Sequence, residues 1–125
     1  HTDNRRQRQM CIRDSSGSEV KEILKDLSLQ SKYPHFKDFL VGVVDSMADI
    51  DETLSNFMER DLTALDPIER STLRLATYEM LYTKTDVPII INESIRLSKK
   101  YGAADGHKYV NAVLDKMYKS NFEST

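Results

Sequence analysis

Arg5, Arg6 and Arg8 crowd one short stretch near the start of the chain. Three guanidinium groups so placed can fork onto phosphate oxygens, in contacts that weaken as salt rises because each releases counterions. The same spacing also serves a solubilising tail, and spacing alone does not separate the two. The residue types that perform catalysis are scattered. His35 and His107 fall on different predicted helices with no motif joining them, and His1 is terminal. His107 reads as a surface or capping residue. The chain has no phosphate-cradling glycine loop, no HExxH and no GxSxG. Asp45, Asp49 and Glu52 recur at helical spacing, the pattern of a solvated face. Cys11 is the single cysteine, which excludes an intramolecular disulfide and any zinc site of several cysteines. It also lacks a setting that would lower its pKa. No catalytic residue, metal ligand or cofactor is expected.

The chain has 125 residues, a size that buries one modest core. Charged residues make up 30% and hydrophobic ones 39%, as in ordinary water-soluble domains. No apolar run approaches the length of a membrane span and no signal-peptide pattern opens the chain, so a cytoplasmic protein without membrane contact is expected. A net charge of −2 argues against indiscriminate nucleic-acid binding. Its distribution is uneven. Residues 1–13 carry four arginines against Asp3 alone, a local +3 that leaves −5 for the remainder. A basic, flexible arm over residues 1–18 is expected to precede an acidic domain over residues 19–125.

The elements that would position any site are helical. After the Ser15-Ser16-Gly17-Ser18 join, Ser18 can cap a helix whose stripe is Val20, Ile23, Leu24 and Leu27. Pro34 opens a long helix with Phe36, Phe39, Leu40, Val43, Val44, Met47, Ile50, Leu54 and Phe57 at steps of three and four. At about 1.5 Å per residue that run would extend roughly 36 Å. Gly42 inside it costs up to about 1 kcal/mol relative to alanine, which a close helix crossing would justify. Asp66, Pro67 and Glu69 supply an N-cap acid, a proline at N1 and a glutamate at N3, with Leu73, Ala76, Met80 and Leu81 facing inward. Pro88 starts the next helix, whose stripe is Ile91, Ile95 and Ser98 with Ile90, Leu97 and Tyr101 alongside; Gly102 is expected as a left-handed stop. Asp105 can cap a last helix carrying Tyr109, Val110, Val113, Leu114 and Met117. The expectation is an all-α, compact bundle of about five helices.

In residues 86–118 the wording as well as the periodicity is informative. The segments VPIIINESIRLSKKYG and HKYVNAVLDKM resemble the NusB family of RNA-binding transcription antitermination factors. HFKDFLVGVVDSMADIDETL and LDPIERSTLRLATYEMLY also look like family segments, so the likeness covers roughly residues 34–118. Together the four blocks are specific. One place departs from the pattern. Family members begin with an arginine-rich stretch that runs straight into a helix; residues 4–9 look like its first part. Residues 10–17 lack the alanine and leucine stripe that should follow. The first family helix reads as truncated or replaced, and residues 10–17 as a sequence artefact or deletion scar.

The resemblance implies roles that spacing does not. It makes the arm of Arg5, Arg6 and Arg8 an RNA contact and adds the loop before the last helix, here Asp105, Lys108 and Tyr109. An aromatic ring can stack on an unpaired base, a lysine can take a phosphate, and an acid can accept from a base amino group. Core packing for Tyr109 and plain capping for Asp105 remain open. The family also pairs with NusE, a small-subunit ribosomal protein, on boxA-like single-stranded RNA, within the transcription elongation complex on ribosomal RNA operons. Glu69 aligns with a family acid at that interface, and Arg70 and Arg74 lie near it. A plain cap is the other reading of Glu69, and Arg74 and Glu79 are expected to pair elsewhere. An acidic body would steer a basic ribosomal protein toward it. Two other readings stand beside the antitermination factor. A NusB-fold RNA-binding module of a ribosomal RNA cytosine methyltransferase would call for a long catalytic extension, whereas the chain ends at Thr125. A helical protein-interaction domain without RNA affinity is the other.

Overall fold

Asp66 and Pro67 start the helix against which most of the others pack. A computed structural model of the chain describes residues 23–121. Six α-helices and one 3-10 turn follow in order: α1 (Leu27–Ser31), α2 (Phe36–Asp45), α3 (Met47–Ser55), the turn Leu62–Ala64, α4 (Pro67–Tyr82), α5 (Val87–Tyr101) and α6 (Gly106–Asn121). No strand occurs among the described residues, and the all-α expectation holds. The arm of residues 1–18, the departure at residues 10–17 and the Ser18 cap lie outside the described residues.

Helix α4 packs against α2, α3, α5 and α6. Individual contacts give the directions. Ile68 at the start of α4 lies against Gly102 beyond the end of α5, so the two run antiparallel. Glu69 meets Gly106, and Thr77 reaches the Met117 sulfur at 3.9 Å, so α6 runs parallel to α4. Asp51 on α3 pairs with Arg74, whereas Gly42 on α2 lies under Tyr78, so this limb is antiparallel to α4. Ile50, Leu54, Ile68, Leu73, Ile90 and Leu114 are fully buried at the centre. Each such side chain contributes about 1.5–3 kcal/mol by leaving water.

The long helix expected from residues 36–57 is divided at Ser46 into α2 and α3. Ser46 has φ −99° and ψ 10°, outside helical values. The hydrogen-bond ladder nevertheless continues through it, from Ser46 N–H to Gly42 O at 3.0 Å and from Ile50 N–H to Ser46 O at 2.9 Å. Serine is a weak helix former because its hydroxyl competes for backbone groups, so it is a natural place for such a break. The stripe itself is as expected, with Phe39, Val43, Val44, Met47, Ile50 and Leu54 buried. Gly42 is explained by close approach: a Cβ there would overlap the Tyr78 hydroxyl and its ring carbon.

Three local expectations are corrected. Gly102 is not left-handed; its φ is −101° and ψ −173°. It is glycine for room, since a Cβ would lie 2.7 Å from Ser98 O and 3.1 Å from Ile68 Cγ2. The buried stripe of α5 centres on Ile90, Ser94, Leu97 and Ser98, and Ile91 and Ile95 flank it half-buried. Leu81 does not face inward: it is 41% exposed, because α4 ends at Tyr82 and its last turn outruns the core.

Two buried carboxylates tie the helices together. Asp26 accepts from the Arg96 guanidinium at 2.8 Å, the Tyr101 hydroxyl at 2.8 Å and the Leu29 N–H at 3.2 Å. The Arg96 bond above all holds the Asp26 carboxyl well below the usual carboxylate range. Glu79 accepts from the Tyr33 hydroxyl and from Lys32 at 3.1 Å. Burial first, and then that carboxylate, push the Tyr33 phenol upward.

Candidate nucleic-acid interface

The candidate site gathers where α6 begins, and the chain arrives there for local reasons. Helix α5 ends at Tyr101: the Gly102 N–H still bonds Ser98 O at 2.9 Å, but its ψ of −173° turns the chain out of the helix. Residues 102–105 cross to α6, with Gly106 N–H bonded to Ala103 O at 3.1 Å and Lys108 N–H to Asp105 O at 3.1 Å. Asp105 and Lys108 are both exposed and form an ion pair at 3.4 Å across one turn. An exposed pair of this kind contributes at most about 1 kcal/mol, so both groups can be drawn onto a ligand at small cost.

Tyr109 packs partly against the core. It is half-buried, and its hydroxyl oxygen is buried without a hydrogen-bond partner among the described residues. The body of the side chain packs against the core, as Val110 and Val113 do more completely. One ring face is covered by Arg60, whose guanidinium carbon lies 4.5 Å from the ring centroid. The neighbouring His107 is half-buried, with Nδ1 buried and unpartnered among the described residues.

The residues expected at a protein interface are more buried than a docking surface suggests. Glu69 is 7% exposed and Arg70 9%. The capping arrangement expected at Asp66 is not formed, since the Asp66 side chain makes no capping hydrogen bond. The Glu69 carboxylate turns instead to the first residue of α6: a Cβ on Gly106 would lie 2.5 Å from its Oε2. Burial, then the charge of Asp66, push the Glu69 carboxyl upward, and Arg60 opposes them. Arg70 donates from Nη1 to Leu65 O at 3.3 Å. Arg74 faces α3, where it forms a two-point bridge to Asp51 at 2.9 and 3.0 Å. Asp51, Glu59, Asp61 and Arg74 line a groove of about 550 Å³ between α3, the 3-10 turn and α4.

The structure thus brings together Glu69, Asp105, Lys108 and Tyr109 and sets Arg74 apart on the α3 side. Arg5, Arg6 and Arg8 lie outside the described residues. Arg60 was missed by sequence reasoning. It sits in an acidic run with no periodic or motif signal, and only the folded chain places it over Tyr109. No group of histidine, cysteine or carboxylate side chains among the described residues could hold a metal ion. No helix among them is long and apolar enough to cross a membrane.

Comparison with known proteins gives a consistent result. A family model described as "NusB family" matches residues 5–119. The transcription antitermination protein NusB of Shewanella halifaxensis is 44% identical over 89 residues, covering 70% of this chain and 65% of that protein. The protein of the same name from Nitrosomonas europaea is 45% identical over 98 residues, covering 75% and 58%. For that of Shewanella woodyi the values are 39% over 109 residues, 82% and 81%. The chain thus spans less than two thirds of the length of the first two relatives. Among solved structures, T. maritima NusB superposes with a TM-score of 0.67 at 30% identity, over 93% of this chain and 90% of that one.

Proposed function

Because the chain belongs to the NusB family, we propose that it acts without catalysis, as an adaptor that holds boxA-like single-stranded RNA together with NusE and so supports antitermination on ribosomal RNA operons. The observation that carries this reading is the meeting of Glu69 with the start of α6. It joins the expected protein-binding helix directly to the loop expected to meet RNA. In this mechanism Arg5, Arg6 and Arg8 take phosphates, Lys108 takes one more, and Asp105 accepts from a base amino group. Glu69 and Arg70, being buried, shape the NusE face and do not reach out from it. The acidic rim of Asp51, Glu59 and Asp61 supplies the charge that attracts a basic protein, and Arg74 anchors that rim. Because Glu69 packs on Gly106, a partner that settles against α4 also steadies the RNA loop, and each ligand strengthens the other by the same factor.

The test is a titration of labelled boxA-like RNA into the chain with and without NusE. The reading expects measurable RNA affinity for the chain alone and tighter binding with NusE. Binding of NusE with no RNA affinity in either arm would leave a helical protein-interaction domain instead.

A further inference from the structure

We propose that Arg60 is an RNA contact, its guanidinium seated on Tyr109 and its outer face offered to an unpaired base next to the phosphate site at Lys108. The proposal rests on the RNA-binding reading above and assigns a residue that reading does not use.

Four observations converge on Arg60. It is exposed, and its guanidinium carbon stands 4.5 Å from the Tyr109 ring centroid. It lies between two acids in sequence, yet among the described residues no carboxylate oxygen approaches within salt-bridge distance. Glu59 points to Lys116 at 3.9 Å, and Asp61 accepts from the Thr63 N–H at 3.3 Å. The Tyr109 hydroxyl is buried and the ring packs against the core, so the side chain offers no free hydroxyl to a ligand. Glu69, on α4 and packed against Gly106 at the start of α6, feels the Arg60 charge.

The consequence is that Tyr109 is not a bare stacking platform. What a base meets first is Arg60. A guanidinium is planar and weakly hydrated, and it stacks on aromatic rings and on bases alike. With Tyr109 beneath it, Arg60 is held in place, so little side-chain freedom is lost when a base arrives. Its charge also attracts a neighbouring phosphate. Tyr109 is then a positioning residue and Arg60 the contact.

The experiment titrates a labelled boxA-like single-stranded RNA into the full chain, Arg60→Ala, Arg60→Lys and the triple alanine variant of Arg5, Arg6 and Arg8, at several salt concentrations, with a melting curve for each. Arg60→Ala should lose affinity on the order of tenfold, as for one lost base stack, and its salt slope should fall by about one. Arg60→Lys should keep the slope but not recover the affinity, because an ammonium does not stack. Full affinity in Arg60→Lys would overturn the stacking role. Unchanged affinity and slope in Arg60→Ala, with a loss in the triple variant, would overturn the Arg60 assignment and leave the RNA reading intact. A parent chain that fails to bind RNA would remove both.

Discussion

Glu69 keeps a carboxylate where its surroundings disfavour the charge. Burial and Asp66 raise its pKa, whereas Arg60 and the N-terminal end of its own helix favour ionisation; the net direction is upward. The sign of its effect on stability follows. A carboxylate with a raised folded pKa contributes most when protonated, below the ordinary glutamate range of about 4, and that contribution is lost as pH rises through the raised value. Glu69→Gln should therefore match or exceed the parent in stability at neutral pH, with the difference shrinking as pH falls toward about 4. Urea melts of both proteins across that range check it, and a parent that gains on the variant as pH rises would show that the ionised carboxylate is stabilising. The sequence marked Glu69 as special through a capping pattern and a family likeness, but not as buried. Burial was illegible there because it depends on Gly106, a residue far along the chain. Asp26 was missed for the same reason, and Glu79, expected to pair away from Arg74, had a partner that could not be read, since Arg96 and Lys32 lie 70 and 47 positions away.

At the scale of elements, the junction of α4 and α6 is tight because one side has no side chain. A Cβ at Gly106 would meet the Glu69 Oε2, Cδ and Cγ at 2.5, 2.8 and 2.9 Å. Gly106→Ala should cost about 1–3 kcal/mol by forcing Glu69 aside, even though alanine is the better helix former. In a Glu69→Ala background the same change should be near neutral or stabilising, a non-additivity that equilibrium unfolding measures directly. A full cost in both backgrounds would place the strain elsewhere. Helix positions were largely readable, because proline starts and apolar spacing act within a few residues. What was not readable is what depends on a neighbour. Gly102 looked like a left-handed stop and proved to be a gap filled by Ile68, and Ser46 divides a stripe whose spacing runs on unbroken.

For the whole molecule, one buried acid joins the first described residues to α5. Asp26 is held by Arg96, Tyr101 and the Leu29 amide, and Tyr101 is the last residue of α5, immediately before the loop that leads to Lys108 and Tyr109. Asp26 therefore ties the first described residues to the end of α5 that leads into the candidate RNA surface. A tether converts two weak contacts into one strong one, because the second forms at a high effective concentration once the first has formed. On the proposed mechanism, the arm arginines and the α6 loop act as two valences of a single binder, with Asp26 as the pin between them. Asp26→Asn should cost about 1–3 kcal/mol of stability by weakening the pin. It should also lower RNA affinity although no RNA-contacting residue is changed, in a titration run where the variant is still fully folded. Unaltered affinity in the folded variant would mean that the two valences need no common anchor. An arm supplied as a separate peptide should likewise fail to restore binding to a chain without it, since mixing restores the cations but not their nearness.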